Sequence, residues 1–311
     1  MKSDRIFIIG AGAIGKTLAA FLKAQGNEVI LLRGQADEIN DSMVTIKVLL
    51  NDKDAVKTEV LVSAVSNFTN LDGIVVIASK SYGNELIAER LKKRIGNAPV
   101  VILQNGLNVE LPFVHHGFER IYRCILFATA QQVSADAIRF KPVAASPVGV
   151  VRGSSEELSG IIDQFSNPYF TFRAEQDIQR VIWTKTIANC VFNSVCPLLE
   201  TDNGIFYRDE QARSVAKRVI AECISVAETQ GVFLDAADVF DRLLQISKSS
   251  EGQLISTYQD ILNGRKTEIE TLNMAVAEIA DNARQETMVP TTRLLGELIR
   301  IKSGIAMRAS L

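Results

Sequence analysis

The sequence is poor in histidine, and this limits the acid chemistry available to it. His115 and His116 are its only histidines among 311 residues. They follow an apolar stretch and precede Gly117, which favours a structural or solvated role. The Tyr-x-x-x-Lys pair, the usual source of the acid in short-chain reductases, does not occur. If the protein is an oxidoreductase that does not use one of these histidines, its proton donor is another kind of group.

Cysteine, net charge and long apolar runs are scarce as well. The four cysteines, Cys124, Cys190, Cys196 and Cys223, show no C-x-x-C spacing, which is typical of reduced thiols. A formal net charge of -2 gives no electrostatic reason to expect nucleic acid or an anionic membrane as a partner. No apolar run reaches the roughly 18 residues of a membrane span, and the first strand begins too early for a signal peptide. We therefore expect a cytoplasmic protein without a metal site, long enough for two domains.

The first predicted strand is followed by a turn that fits two phosphate-binding patterns. G-x-G-x-x-G, the dinucleotide turn, comprises Gly10, Ala11, Gly12, Ala13, Ile14 and Gly15. Gly10 with Gly15, Lys16 and Thr17 also fits G-x-x-x-x-G-K-T, the loop that binds nucleoside triphosphates. Both patterns hold phosphate on backbone N–H groups at a helix N-terminus. The choice between them depends on the rest of the chain.

Arg33 ends the next apolar run, residues 28–33. In an NAD-binding unit an acid stands about twenty residues beyond the turn and binds the adenine ribose 2′-hydroxyl. An arginine would instead pair with the 2′-phosphate of NADP, and no acid follows before Asp37. The position therefore favours NADP, with a solvated surface arginine as the alternative.

Apolar strands alternate with helical patterns through the first half of the chain. The runs at 73–77 and 99–103 are followed by a lysine and by an amide-rich turn. This alternation predicts a doubly wound α/β sheet, in which ligands bind at the carboxyl ends of the strands. Four residues are expected at that edge: Gly10, Arg33, Lys80 and Asn105.

The triphosphate alternative requires an acidic residue that closes an apolar strand and holds magnesium. The strands of the first half end in basic or amide residues instead. The segment most similar to an apolar strand closed by an acid is residues 232–235, and it lies in a region with a helical pattern. These features favour a dinucleotide over a nucleoside triphosphate.

The second half of the chain has a different character, because long helical patterns replace the strands. We place the domain boundary between residues 174 and 175, so that 1–174 form a Rossmann-like domain and 175–311 an all-helical one. Lys185, Asn189 and Asn193 recur every fourth residue on a helix that we expect to end before Pro197. They turn through only about 80° and form one polar stripe. The stripe is either a retained polar site or an exposed face.

A second polar segment lies downstream, at residues 256–270. Thr267 and Glu270 have the spacing of a capping box, which predicts that a helix starts there. Glu268 would then lie in the first helical turn, where an acid complements the helix dipole. That structural role is the alternative to a functional one.

Taken together, these motifs resemble the ketopantoate reductase family, the NADPH-dependent 2-dehydropantoate 2-reductases of pantothenate and coenzyme A synthesis. The resemblance runs nearly end to end, with agreement in order and spacing. The motifs that carry it are Gly10-x-Gly12-x-x-Gly15, Lys80, Gln104-Asn105-Gly106, Lys185-x-x-x-Asn189-x-x-x-Asn193, Asn203-Gly204, and Ser256 with Thr267-Glu268. The lysine–asparagine helix and the Ser…Thr-Glu pair are far more specific than the glycine turn.

The resemblance implies a role for each matched residue. Lys185 would be the general acid that protonates the C2 carbonyl oxygen of a 2-oxo acid, and Glu268 would orient Lys185 or a ribose and substrate hydroxyl. The implied substrate-binding residues are Asn105, Asn189, Asn193, Asn203 and Ser256. The implied NADPH-binding residues are the turn Gly10 to Gly15, Arg33, Lys80, Asn105, Ala130 and Glu268. The substrate is expected between the two domains, and a homodimer is the candidate assembly.

Three features differ from the family pattern. Gln253 stands where an asparagine is usual, residues 124–150 lack the expected glycine-rich pattern, and residues 80–83 match the usual lysine motif loosely. These differences leave open which small 2-oxo acid is the substrate. A non-catalytic NADP(H)-sensing protein is the alternative of a different class. Such a sensor would need only the residues of the first domain, so the matched residues of the second domain argue against it.

Overall fold

The computed structural model describes residues 5–34, 40–51, 54–285 and 288–309. The chain forms two compact units. Unit 1 holds the residues up to Gln104 together with Val109–Ile178, and unit 2 holds Asn105–Asn108 and the residues from Gln179 onward. The chain therefore leaves unit 1 after Gln104 and returns to it at Val109.

Unit 1 is built on a single mixed sheet. Within the described residues its strands are β1 (Arg5–Ile9), β2 (Val29–Arg33), β3 (Ser42–Leu49), β4 (Ala55–Ala64), β5 (Gly73–Ile77), β6 (Val100–Ile102), β7 (Ile121–Cys124), β8 (Ala128–Gln132), β9 (Ala137–Pro142), β10 (Ser146–Arg152) and β11 (Phe172–Ala174). Its helices are α1 (Ala13–Ala24), α2 (Asn84–Lys92), α3 (Leu111–His115) and α4 (Leu158–Phe165). The strand order is β11-β10-β7-β6-β5-β1-β2-β4-β3-β9-β8.

Six neighbouring strands, β7-β6-β5-β1-β2-β4, run parallel. From β1 the chain builds outward to β2 and β4, and it then crosses back to build β5, β6 and β7 on the other side. The order therefore reverses between β1 and β5, and ligands in open α/β sheets bind at the carboxyl ends beside such a reversal. The predicted α/β fold with a Rossmann-like sheet is confirmed.

Both faces of the parallel strands are covered, as their continuous apolar runs require. Successive side chains of β1 alternate between the faces. Ile6 and Ile8 join the hydrophobic core that contains Leu18 and Phe21 of α1. Phe7 and Ile9 join the opposite core, to which α2 and α3 contribute. The turns that follow these parallel strands lie together along the edge of the sheet formed by the carboxyl ends of the strands.

Unit 2 is helical. Within the described residues its helices are α5 (Ile178–Leu198, which begins at the end of unit 1), α6 (Ile205–Arg208), α7 (Glu210–Thr229), α8 (Ala236–Ser249), α9 (Ser256–Leu262), α10 (Asn273–Asn282) and α11 (Pro290–Ala309). The predicted all-helical character of the second half is confirmed. Across the described ranges, none of the helices combines the length and apolarity needed to traverse a bilayer.

Residues 232–235 lie between α7 and α8, in the helical region expected for them. The Asp235 side chain accepts hydrogen bonds from Ala237 N at 2.8 Å and Asp238 N at 2.9 Å and so caps α8. Two local predictions for the second half are wrong. Helix α5 does not stop before Pro197 but runs through it to Leu198. The Thr267–Glu270 capping box does not form either. Only a short 3-10 turn, Ile269–Thr271, follows it, and α10 starts at Asn273.

The physical reason for the missing capping box is a tertiary contact. The Glu270 carboxylate accepts two hydrogen bonds from Arg300 of α11, at 2.7 and 2.6 Å. A bidentate pair with a guanidinium is stronger than a single bond to a backbone N–H. Because Glu270 is engaged elsewhere, Glu268 lies before the 3-10 turn rather than in the first turn of an α-helix.

The approach of α1 to β1 depends on two glycines. Gly10 has φ +120°, and a Cβ on it would overlap the backbone of Ser79 after β5. A Cβ on Gly15 would overlap the Gly10 carbonyl oxygen. Gly12 differs, because its φ is −78° and nothing lies within 4 Å of the place a Cβ would occupy.

We expect Gly15→Ala to lower the free energy of unfolding by about 1–3 kcal/mol or more, because a methyl group would be forced against backbone. Gly12→Ala is the matched control and should change stability by no more than about 0.5 kcal/mol. Urea unfolding followed by circular dichroism measures both variants. Equal stability of the two variants would contradict this account of the turn.

Candidate functional site

The glycine turn leaves the N-terminus of α1 open. Gly12 is the N-cap residue and, as a glycine, has no side chain to cap the helix, and the first turn contains no acid. The first N–H groups of a helix have no partner within the helix, and together with the helix dipole they attract anions. Since the space above Gly12 is clear, the turn can receive a phosphate group against its backbone. The residues present thus fit the pyrophosphate of a dinucleotide.

The same turn is poorly suited to a nucleoside triphosphate. Helix α1 already begins at Ala13, and Lys16 N donates to Gly12 O at 2.9 Å, so residues 13–16 form no open loop around a phosphate chain. The Thr17 side chain is fully buried and cannot reach a metal-bound phosphate. No group of three or more His, Cys, Asp or Glu side chains within the described ranges could hold a metal ion.

Arg33 and Lys80 lie at the carboxyl ends of β2 and β5, the two strands that flank β1. Arg33 is the last residue of β2 and is exposed. In the described part of the chain we find no acidic partner for its guanidinium, and Asp37 lies outside that part. Lys80 is half-buried and immediately precedes the 3-10 turn Ser81–Gly83. Both positions are compatible with contacts to a dinucleotide held by the glycine turn.

Ala130 lies on β8, the last strand of the sheet. Four strands separate β8 from β1 within the sheet, yet β8 also contacts α1. Ala130 borders the same hydrophobic core as Ala13 and Ile14 at the start of α1. The curvature of the sheet thus keeps Ala130 on the α1 side.

The polar stripe of unit 2 lies on α5, among side chains that are almost completely buried. Lys185 and Asn189 are half-buried, and Asn193 is only 3% exposed. An exposed helix face therefore does not describe the stripe. A buried polar group costs free energy unless it is hydrogen-bonded, so its retention here requires partners.

Asn193 links the stripe to the start of α9. Its Oδ1 atom accepts a hydrogen bond from Thr257 N at 3.4 Å and lies 3.5 Å from Ser256 Oγ. Its Nδ2 atom donates to Asn189 O at 3.0 Å. Two motifs that are separated by about sixty residues in sequence therefore meet through one amide. The exposed Ser256 hydroxyl lies at the rim of this group.

Asn203 lies on the turn between α5 and α6, and its backbone is held on both sides. Asn203 N donates to Gln253 O at 2.9 Å, and Ser247 Oγ donates to Asn203 O at 2.7 Å. Its side chain is 7% exposed, and in the described structure Oδ1 has no hydrogen-bond donor. An unpaired buried amide oxygen is unusual in a folded protein, so this atom is suited to accept a hydrogen bond from a ligand.

Glu268 and Asn105 belong to the same unit. Thr271 donates to Glu268 O through both its N and Oγ1, at 3.1 Å each, and Leu107 N donates to Thr271 O at 2.8 Å. Gly106 has φ +95°, and a Cβ there would overlap Thr271. Segment 105–108 thus packs on the turn that follows Glu268.

Some buried polar residues were missed by the sequence analysis. Asn84, Gln104, Glu110 and Arg123 are joined by hydrogen bonds at the carboxyl ends of β5, β6 and β7. One signal was available, because Arg123 stands in the middle of an apolar strand where an unpaired charge would be costly. Of the two histidines, His115 is exposed at the end of α3, and His116 Nε2 lies 2.7 Å from Glu85 Oε1.

Comparison with characterised proteins gives consistent results over both halves of the chain. The family model described as ketopantoate reductase PanE/ApbA matches residues 6–149, and the model of its C-terminal part matches residues 177–303. The 2-dehydropantoate 2-reductase of Halobacterium salinarum is 25% identical over 300 residues, 96% of this chain and 98% of that protein. The enzyme of Pyrococcus abyssi with the same name is 26% identical over 306 residues, 97% and 98% of the two chains.

Solved structures share the fold over the same length. A D-mandelate dehydrogenase in complex with NADH and anilino(oxo)acetate has a TM-score of 0.82 at 22% identity, covering 97% of this chain and 99% of that one. A PanE/ApbA family ketopantoate reductase from Ralstonia eutropha has a TM-score of 0.82 at 23% identity with the same coverage. The dimeric ketopantoate reductase of Staphylococcus aureus has a TM-score of 0.79 at 17% identity, also with the same coverage. The chain belongs to the ketopantoate reductase family.

Proposed function

We propose that the protein reduces 2-dehydropantoate (ketopantoate) to pantoate with NADPH, a step of pantothenate and coenzyme A synthesis. The observation that carries the proposal is the meeting of the Lys185–Asn189–Asn193 stripe with Ser256 through the Asn193 amide. These are the matched positions that a reductase needs and a cofactor sensor does not. The names of the curated relatives agree with this activity.

The chemistry requires one proton and a way to hold a carboxylate. Bound NADPH would supply a hydride to C2 of the 2-oxo acid. Lys185 then donates a proton to the carbonyl oxygen, so that a hydroxyl group forms and no alkoxide is left. Its ammonium group also stabilises the negative charge that develops on that oxygen before the proton moves.

The remaining polar side chains of unit 2 bind and orient the substrate. Asn189, Asn193 and Ser256 offer N–H and O–H donors for a carboxylate or hydroxyl. The unpaired Asn203 Oδ1 is suited to accept a hydrogen bond from a substrate hydroxyl. Glu268 orients Lys185 or a hydroxyl group, and Asn105 contributes to both ligands. These roles make the polar stripe a substrate site rather than a structural feature.

The cofactor would lie on the glycine turn of unit 1. The residues from Gly10 to Gly15 hold the pyrophosphate through backbone N–H groups, and Lys80 and Ala130 line the site. Arg33 selects NADPH over NADH, because its exposed guanidinium ends β2 where an acid would serve NAD. One solved relative of this fold is described with NADH, so the preference is a property to be measured in each member.

We further propose that the protein is a cytoplasmic homodimer. One structural neighbour is described as dimeric. Helix α11 also exposes apolar side chains of Leu294, Leu298, Ile301 and Ile305 at helical spacing, and exposed apolar patches mark interaction surfaces. Light scattering that gives the mass of one 34.1 kDa chain would refute the dimer.

A related activity is the second candidate. The D-mandelate dehydrogenase with the same fold shows that this architecture is compatible with a different 2-hydroxy acid. Gln253, whose carbonyl holds Asn203, is longer by one methylene than the asparagine usual at this position in the family. A reductase for another small 2-oxo acid would account for that difference.

The deciding experiment follows NADPH absorbance with ketopantoate and a panel of other 2-oxo acids, phenylglyoxylate among them. We expect the highest kcat/KM with ketopantoate. A higher kcat/KM with another 2-oxo acid would replace the substrate but keep the reaction. If a folded, NADPH-binding sample turned over none of them, the enzyme proposal would fail and a sensor would be favoured.

Replacement of the general acid gives a second prediction. Lys185→Ala should lower kcat by at least about a hundredfold, the low end for general acid catalysis, with little change in the Kd of NADPH. Thr184→Ala, at the preceding position on α5, is the control and should retain near-native kcat. Near-native turnover by Lys185→Ala would show that the proton comes from another group.

The cofactor preference gives a third prediction. Arg33→Ala should weaken NADPH binding by about tenfold or more while NADH binding changes little, since only NADPH carries the 2′-phosphate. Isothermal titration calorimetry measures both ligands. Arg139→Ala removes another exposed arginine of unit 1 and serves as the control. Equal losses for the two cofactors would refute the 2′-phosphate contact.

A further inference from the structure

A buried polar network lies beneath the carboxyl ends of β5 and β6, and the proposed reaction uses none of its side chains. Asn84, at the start of α2, is 2% exposed, and Gln104, after β6, is 4% exposed. Their side-chain amides bond reciprocally, with Asn84 Nδ2 donating to Gln104 Oε1 and Gln104 Nε2 donating to Asn84 Oδ1, each at 2.7 Å. Exchanging O and N in both amides would preserve this pair, so its orientation is set by the backbone carbonyls that the two amides also contact.

Each amide also donates to a backbone carbonyl of unit 1. Gln104 Nε2 donates to Ser79 O at 2.8 Å, and Ser79 directly precedes Lys80. Asn84 Nδ2 donates to Val109 O at 2.7 Å. Gln104 and Val109 are the last residue before and the first residue after segment 105–108. The amide pair therefore holds the two residues of unit 1 that flank that segment.

A buried ion pair reinforces the same two ends. The Arg123 side chain on β7 is fully buried, pairs with Glu110, and donates to Gln104 O at 3.3 Å. Replacing a buried ion pair with apolar side chains of similar volume is often neutral or stabilising. A buried ion pair is therefore weak evidence for a purely stabilising role. Its position indicates another role, because Arg123 holds Gln104 and Glu110 at once.

The backbone of the segment between these anchors is left-handed at two residues. Gly106 and Asn108 have φ of +95° and +60°. Glycine adopts this region without strain and asparagine adopts it more readily than most residues, so the local sequence fits this conformation. Asn105, the candidate ligand-binding residue, is the first residue of the segment, so its direction follows from how Gln104 is held.

We propose that Asn84, Gln104, Glu110 and Arg123 are positioning residues that act on cofactor binding through Asn105. This inference rests on the proposed function, which gives Asn105 its ligands. The alternative is a network that only joins the ends of the strands and contributes to stability. The two accounts differ in what the network does to NADPH affinity.

The test measures the Kd of NADPH by titration calorimetry and the stability by urea unfolding. Asn84→Ala should raise the Kd by about tenfold or more, because it leaves Gln104 Oε1 and Val109 O without a donor. Tyr122→Phe is the control. It removes hydrogen bonds to Glu157 at 3.1 Å and Ser154 O at 3.4 Å, also in unit 1. This control should lose stability with an unchanged Kd. If Asn84→Ala does not fold, Gln104→Met replaces it.

A double-mutant cycle decides whether the effect passes through Asn105. Asn105→Ala alone should weaken NADPH binding, and adding Asn84→Ala should then change the Kd less than about threefold. Additive losses, or a Kd for Asn84→Ala that matches the Tyr122→Phe control, would overturn the inference. An Asn105→Ala variant that binds NADPH like the parent would overturn it as well. None of these results depends on turnover, so a failure of the proposed function is seen separately in the substrate panel.

Discussion

The close approach of Gly15 to the Gly10 carbonyl is the constraint on which the geometry of unit 1 depends. Because Gly15 has no Cβ, α1 can pack directly against the end of β1. The N-terminus of α1 therefore lies at the reversal of strand order. The same approach makes α1 begin at Ala13 and leaves Gly12 facing open space. One steric requirement thus favours a dinucleotide turn and disfavours a triphosphate loop, although the sequence matches both patterns.

The features of the fold that could be predicted from the sequence are those that depend on residues close together along the chain. The alternation of apolar runs and helical patterns was enough for the parallel sheet, because buried strands and the helices between them have distinct periods. The change to helices after residue 174 was predictable for the same reason. The positions of Arg33 and Lys80 at strand ends followed directly, since a strand's last residue is set by its own apolar run.

What could not be predicted depends on contacts between distant parts of the chain. Glu270 had the right spacing for a capping box, but Arg300, thirty residues away, takes its carboxylate. Asn105 follows a strand of unit 1 and yet belongs to unit 2, because Leu107 bonds to Thr271. The network of Asn84 and Gln104 joins residues twenty positions apart that no local pattern connects. The roles predicted for the site residues come from family resemblance, and the contact of Asn193 with Ser256 shows that two of the matched motifs meet.

Both units keep polar groups that a fold selected only for stability would have paired. In unit 1 the first N–H groups of α1 have no side-chain cap, although Ser, Thr, Asp or Asn at Gly12 would supply one. In unit 2 the buried Oδ1 of Asn203 has no donor among the described residues. Departures from local optimisation are expected where function requires them. Their chemistry is complementary: the N–H groups suit an anionic phosphate, whereas the amide oxygen suits a hydroxyl group.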